Sequence, residues 1–239
     1  MIDVQLIPIL ETNYAAIIQT SCGKTAILDP GAADPIIAEL EEQNLTPDFI
    51  LITHHHWDHV NGIPKIKRTY KCPVVAPRAE ADKIPDVDIT LEDGDIFELG
   101  EQKARIISTP GHTLGGICYY FEDSKTVFTG DTLFSMGCGR LFEGTPEDMF
   151  NSLEKLKALP DDTKVYCGHE YTRGGAGFCL AMEPENEDLK KRIEEVKALC
   201  ANNQPTIPST IGLEKKTNIF MRTKNAEEFG VVRSKKDNF

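Results

Sequence analysis

Short apolar runs bounded by turn formers recur over the first thirty positions and again between residues 105 and 167, and they predict β-strands. Residues 4–9, 15–20 and 25–28 read as strands separated by turn formers. Asp34-Pro35 supplies an N-cap and a first-turn proline, so a helix is expected from there to about Gln43. Residues 50–57 should run extended into a loop, residues 58–68 should be helical, and residues 73–76 should form a buried strand. Further strands are expected at 105–107, 117–121, 126–128 and 164–167. Thr145-Pro146-Glu147-Asp148 caps a helix that ends near Leu159, where Pro160 stops it. Strands interspersed with helices fit an α/β layered fold.

After Thr172 the pattern changes and no alternating strand is expected. Residues 186–202 place Leu189, Ile193, Val196, Leu199 and Cys200 on one face of a charged, amphipathic helix. Residues 204–209 form an extended linker, and residues 210–212 can open a further short helix. A boundary near residue 172 follows, with residues 1–172 as one domain and residues 173–239 as a small helical one. No internal repeat or low-complexity segment interrupts this division.

The chemistry sits at the strand ends. The chain has six histidines, and four fall between His54 and His59 in T-H-H-H-W-D-H-V-N-G. On an extended segment His54, His56 and Asp58 share one side, while His55 and Trp57 point away. Asp58 and His59 follow on a turn. Adjacent side chains diverge, so the cluster suggests two neighbouring metal ions, one on His54 and His56 and the other on Asp58 and His59. His55 is left outside the site, and Trp57, the only tryptophan, is expected to pack behind it. The other two histidines, His112 in S-T-P-G-H-T and His169 in V-Y-C-G-H-E-Y, each follow a short strand, as does Asp131 in V-F-T-G-D-T-L. Singly, each is more often a surface histidine or a turn-forming aspartate. Together they put nearly all the histidine of the chain at strand ends, where scaffolds display catalytic groups. Five histidines with Asp58 and Asp131 give eight bonds, four per ion, if Asp131 bridges. A shared water would then be acidified by both cations, so the residues read as a metal-assisted hydrolase.

Charge and cysteine content narrow the setting. The formal net charge of -12 argues against nucleic acid as a partner. Residues 215–239 nevertheless hold seven Lys/Arg against three acids, either a solvated basic tail or a patch for an anionic substrate. Seven cysteines without a C-x-x-C pair suggest no disulfide framework and fit a reducing cytoplasm; Cys138 reads as structural. Residues 1–10 lack the features of a signal peptide, and no apolar run approaches the roughly 20 residues of a membrane span.

T-H-x-H-x-D-H followed by separate His, Asp and His resembles the metallo-β-lactamase superfamily, which implies a four-layered αβ/βα sandwich with a dinuclear site at the edge between two sheets. Three segments resemble one family within it, glyoxalase II or hydroxyacylglutathione hydrolase: residues 129–144 with G-C-G-R, residues 166–172 with Y-C-G-H-E-Y-T, and the terminal R-S-K-K-D-N-F. The resemblance spans nearly the whole chain and implies that His54, His56, His112 and Asp131 hold one metal, and Asp58, His59, His169 and Asp131 the other. It places Arg140, Phe142, Tyr171, Arg233 and Lys236 at positions that hold glutathione, with the C-terminal helical domain as the substrate-binding part. Asp29 in I-L-D-P is either a partner for a ligand histidine or a turn aspartate before proline. The implied reaction is hydrolysis of S-D-lactoylglutathione to D-lactate and glutathione, the second step of methylglyoxal detoxification, by a monomeric cytoplasmic enzyme with two divalent ions, zinc first and iron or manganese as alternatives. Two departures stand out: Phe142 where some members have Tyr, and Arg173-Gly174-Gly175-Ala176-Gly177 where others begin a helix, which suggests a looser start to the helical domain. A glutathione-dependent persulfide dioxygenase, a lactonase or β-lactamase, and a non-catalytic metal-binding module are the rival readings; metal stoichiometry, the R-x-x-K-D terminus and a complete ligand set, respectively, separate them.

Overall fold

The apolar runs of the first thirty residues become an antiparallel ladder. β1 (Ile2–Ile9) pairs with β2 (Asn13–Thr20) along its whole length, Ile2 opposite Thr20 and Ile9 opposite Asn13. β3 (Thr25–Leu28) adds antiparallel to β2, and β4 (Phe49–Leu51), β5 (Val74–Pro77) and β6 (Val87–Leu91) then follow in parallel. The crossovers between the parallel strands carry α1 (Ala33–Glu42), the single turn α2 (Trp57–Val60) and α3 (Ile63–Tyr70). Ile36 and Leu40 of α1 and Ile63 and Ile66 of α3 bury completely with Ile17, Ile27, Ile50 and Val74 of the sheet. β7 (Ile96–Leu99), β8 (Gln102–Ser108) and β9 (Ile117–Phe121) form an antiparallel meander.

This computed structural model describes residues 1–239 and divides into two units, residues 1–108 with 115–124, and residues 109–114 with 125–239. In the second, β10 (Thr126–Gly130) runs parallel to β13 (Lys164–Cys167), and β11 (Leu133–Phe134) and β12 (Gly137–Cys138) make a tight hairpin between them in sequence. α4 (Pro146–Lys157) has the expected cap, completed as a capping box, with Thr145 Oγ1 accepting from the Asp148 N–H and Asp148 accepting in return from the Thr145 N–H. α5 (Thr172–Met182), α6 (Glu187–Ala201), β14 (Ser209–Thr210), α7 (Ile211–Thr217) and α8 (Ala226–Asp237) complete the chain. Leu189 and Val196, on the expected apolar face of α6, bury against Met136, Ala176 and Cys179. No helix is long and apolar enough to cross a membrane.

Several expectations are corrected. α1 starts at Ala33 without a side-chain cap, and Asp34 instead pairs with Lys65. The helix expected at 58–68 is broken at Asn61-Gly62, where a Cβ on Gly62 would lie 2.3 Å from the Pro30 carbonyl oxygen. Because helical geometry already begins at Trp57, the strand alternation fails there, and the indole is 63% exposed instead of packed behind the site. β6 was not foreseen because only Leu91 of its five residues is buried. A two-residue strand, β14, does occur after Thr172, pairing antiparallel with β13. The basic C-terminal stretch is not a loose tail: about half of it is α8, whose Phe229, Val232 and Arg233 are buried.

The glycine run at 174–177 lies inside a regular helix, α5. Gly175 meets the hairpin backbone so closely that a Cβ would lie 2.4 Å from the Met136 carbonyl oxygen, whereas Gly174 and Gly177 face open space. Only Gly175 is therefore required by packing. Gly174→Ala and Gly177→Ala should each stabilise the protein by about 0.5–1 kcal/mol through helix propensity. Gly175→Ala should destabilise it by about 1–3 kcal/mol through overpacking. Urea unfolding of the three variants checks this, and equal responses would contradict it.

Candidate metal centre

In the first unit the site is built from one buried carboxylate. Asp29 ends β3 at φ +48 and is 1% exposed. Its Oδ1 accepts the Thr53 N–H at 2.8 Å, and its Oδ2 accepts the Thr53 hydroxyl at 2.6 Å and lies 3.0 Å from His59 Nδ1. The single Thr53 hydroxyl proton is thus committed to Asp29, so His54 Nδ1, 3.0 Å from Thr53 Oγ1, must donate to that oxygen. His59 Nδ1 likewise donates to the carboxylate. By this network both rings carry the proton on Nδ1 and present Nε2 as a lone pair. The two rings lie 4.2 Å apart between centroids, and His56 lies 4.8 Å from His54. Asn13 Nδ2 donates to Asp58 Oδ2 at 2.8 Å, and that oxygen stands 3.7 Å from His59 Nε2.

His55 is drawn elsewhere, as its place in the alternation implied. Glu80, 2% exposed, accepts the His55 N–H at 2.7 Å and has the same oxygen 2.9 Å from His55 Nδ1, while its other oxygen accepts the Gly115 N–H at 2.9 Å. Thr53, Asn13 and Glu80 were not foreseen from sequence, since their roles come from chain reversals that bring positions 24 to 45 residues apart together.

In the second unit His112 Nδ1 lies 2.7 Å from the Arg140 carbonyl oxygen, which can only accept, so the proton is again on Nδ1. His112 Nε2 then faces Asp131 Oδ2 at 3.4 Å, and His169 Nε2 approaches the same oxygen at 3.2 Å. Gly139 allows this crowding, because a Cβ there would lie 1.9 Å from the Asp131 carbonyl oxygen and 3.0 Å from His112 Nδ1. The lone pair of His112 Nε2 and the carboxylate oxygen it faces repel one another, and a cation between them removes the repulsion. The donor sets of both units, neutral imidazoles and carboxylates, suit borderline divalent metals. Cys138 does not compete as a nucleophile: burial pushes its thiol up to about 11 despite the neighbouring Arg233 charge.

The residues expected to meet the substrate divide into exposed and buried ones. Tyr171, 44% exposed, stacks on His169 with centroids 4.6 Å apart, and Phe142, 62% exposed, lies 5.3 Å from the His112 ring. Arg140 reaches Asp237 Oδ1 at 3.4 Å. Arg233, by contrast, is buried: Nη1 donates to the Cys138 carbonyl at 3.0 Å, Nη2 to Asp237 Oδ1 at 2.9 Å, and the guanidinium lies over Phe220. Lys236 Nζ donates to the Gly174 carbonyl at 3.3 Å and lies over Phe178 and Phe239; burial and then the Arg233 charge lower its pKa. Asp237 joins Arg140 and Arg233, and its place in R-S-K-K-D was the one signal that could have singled it out.

Two family models match the chain in succession, Metallo-beta-lactamase superfamily over residues 10–169 and Hydroxyacylglutathione hydrolase C-terminus over residues 170–239. The fold is accordingly that of a metallo-β-lactamase, with mixed α/β sheets and a C-terminal helical domain. The hydroxyacylglutathione hydrolase of Pelagibacter ubique is 46% identical over 238 residues, 99% of this chain and 100% of its own. That of Brucella ovis is 52% identical over 211 residues, 88% of this chain and 82% of its own. Among solved structures, ETHE1 from Myxococcus xanthus superposes with a TM-score of 0.74 at 24% identity, covering 97% of this chain and 90% of its own. TTHA1623 in a di-iron-bound form superposes with a TM-score of 0.66 at 25% identity, covering 91% and 99%. The chain belongs to the hydroxyacylglutathione hydrolase family, whose members are thioester hydrolases.

Thr53→Val removes the hydroxyl that fixes the His54 tautomer while keeping the side-chain volume. It should weaken metal binding by roughly 10–100-fold, the usual cost of losing a partner of a ligand histidine. Competition with a chromophoric chelator measures this, and unchanged affinity would contradict the tautomer argument.

Proposed function

We propose that the chain hydrolyses S-D-lactoylglutathione to D-lactate and glutathione, with two divalent cations as cofactor. The observation that carries the proposal is the meeting of His112 and His169 Nε2 on one oxygen of Asp131, beside side chains at the family's glutathione-holding positions. Relatives named hydroxyacylglutathione hydrolase over nearly the full chain support the substrate class, and the di-iron form of TTHA1623 supports a pair of ions. His54, His56 and His112 with Asp131 would hold one ion, and Asp58, His59 and His169 with Asp131 the other. Zinc is the first choice, with iron or manganese acceptable to the same donors. When bound, the ions acidify a shared water and offset the charge that develops at the thioester oxygen and sulfur.

The protein's own part is orientation. Asp29 and Thr53 hold His54 and His59 with the proton on Nδ1, Asn13 steadies Asp58, and the Arg140 carbonyl does for His112 what Asp29 does for His59. Asp58 and Asp131 are the carboxylates closest to the chemistry. Arg140 and Lys236 offer cations to the two carboxylates of glutathione, and Tyr171 a hydroxyl to its peptide. Arg233 acts through Asp237, which it shares with Arg140. A thiol of pKa roughly 8.5 departs as its anion, so no protein acid is required. In this reading residues 1–172 carry the metal-holding groups together with Arg140, Phe142 and Tyr171, and residues 173–239 add Arg233 and Lys236 as the substrate-binding domain, in a monomer acting in the cytoplasm as the second step of methylglyoxal detoxification.

Metal-replete protein should consume S-D-lactoylglutathione, and chelator-treated protein should not. Asp131→Ala or His59→Ala should abolish turnover together with metal; retained metal and a near-normal rate in either would refute the dinuclear assignment. Phe142→Tyr should restore a hydroxyl donor and lower KM by up to about tenfold, the worth of one hydrogen bond of about 0.5–1.5 kcal/mol. Steady-state kinetics on the two forms decides this, and an unchanged KM would place Phe142 away from the substrate.

A further inference from the structure

Among the charged groups that the proposed reaction leaves unused, Glu214 of α7 is fully buried. Burial raises its pKa, and hydrogen bonds from the Ser209 hydroxyl, the Met136 N–H at 2.8 Å and Asn218 Nδ2 at 3.0 Å oppose that rise. Asn218, one helical turn later and equally buried, directs Nδ2 to the carbonyls of Phe134 at 3.2 Å and Gly137 at 2.9 Å, while its Oδ1 accepts the Phe220 N–H at 3.1 Å. The two side chains therefore grip every residue but one of the β11–β12 turn from 134 to 137. That turn needs a grip. Met136 has φ +54, a left-handed conformation that costs a non-glycine residue roughly 1 kcal/mol. Its carbonyl is held from the other side by Cys179 Sγ at 3.4 Å and by the close approach of Gly175.

The hairpin so held is the path from Asp131 to Arg140. Along it the Gly139 N–H donates to the Thr132 carbonyl at 3.2 Å, the Cys138 carbonyl accepts Arg233, and the Arg140 carbonyl orients His112. A shift of the turn would move all three together. We propose that Glu214 and Asn218 are positioning residues of the hydrolase: by clamping the 134–137 turn they fix Asp131, the carbonyl that orients His112 and the carbonyl that anchors Arg233 in one geometry. The proposal rests on the ligand and substrate roles put forward above.

Asn218→Asp keeps the oxygen that caps Phe220 but replaces the donor to the turn and to Glu214 with an acceptor, Glu214→Ala removes the acceptor for Met136, and Glu214→Gln keeps one. The first two should lose roughly tenfold or more both in kcat/KM for S-D-lactoylglutathione and in chelator-competed zinc affinity, the scale of losing an outer partner of a metal ligand. Glu214→Gln should stay within about threefold of wild type. Folded Asn218→Asp and Glu214→Ala proteins with wild-type kcat, KM and zinc affinity would overturn the proposal. If those variants fail to fold, hydrogen exchange on the wild-type protein decides: the Met136 and Gly139 amides should be as protected as the core amides of α7, and fast exchange across 134–139 beside a protected α7 would overturn it. Absence of wild-type turnover on S-D-lactoylglutathione would instead sink the substrate reading, leaving zinc affinity and exchange to judge the clamp.

Discussion

Hydrogen-bond acceptors held against one another are the constraint on which this structure turns. One oxygen of Asp131 faces two imidazole nitrogens at 3.4 and 3.2 Å, and Asp58 faces a third at 3.7 Å. With Nδ1 of His112 and His59 committed to the Arg140 carbonyl and to Asp29, neither ring can relieve the contact by turning its N–H inward. Buried acceptors in that arrangement are unfavourable without a cation or extra protons. The surrounding network exists to hold the rings so that cations are the answer, which is the sense in which a metal site is preorganised.

The consequences reach the glycines and the strand ends. Gly62 and Gly139 are places where a side chain would strike backbone next to a proposed ligand segment, and Asp29 and Met136 accept left-handed φ values in the same neighbourhoods. Strain of this kind persists where packing overdetermines the backbone. The anionic substrate proposed above would raise a second demand, and within a protein of net charge -12 Arg140, Arg233 and Lys236 are the cations that would meet it. Asp237 keeps the two arginines close, and Lys236, part-buried beside Arg233, has its pKa lowered by both effects.

Much of this was legible in the chain, for reasons that differ by residue. The H-x-H-x-D-H spacing and the Gly-His and Gly-Asp steps after apolar runs announce themselves because chemistry needs those residue types at strand ends. The cap at Thr145 and the apolar face of α6 were readable for a local reason, since their partners lie within a few residues. Trp57 and the 58–68 helix were misread because periodicity cannot show where a strand gives way to a single helical turn. α8 was missed because its few buried residues sit among charges, so no apolar stripe marks it. Glu214 and Asn218 were invisible for a further reason: their partners lie 78 to 84 residues earlier, and nothing in a single sequence links the two.

Anomalous diffraction from crystals of the zinc-replete protein tests the central claim most directly. The account predicts two zinc peaks separated by roughly 3.5–4 Å, the spacing of two-metal sites, with Asp131 touching both and His54, His56, Asp58, His59, His112 and His169 as the remaining protein ligands. A single fully occupied peak, or two peaks with Asp131 on neither, would contradict it.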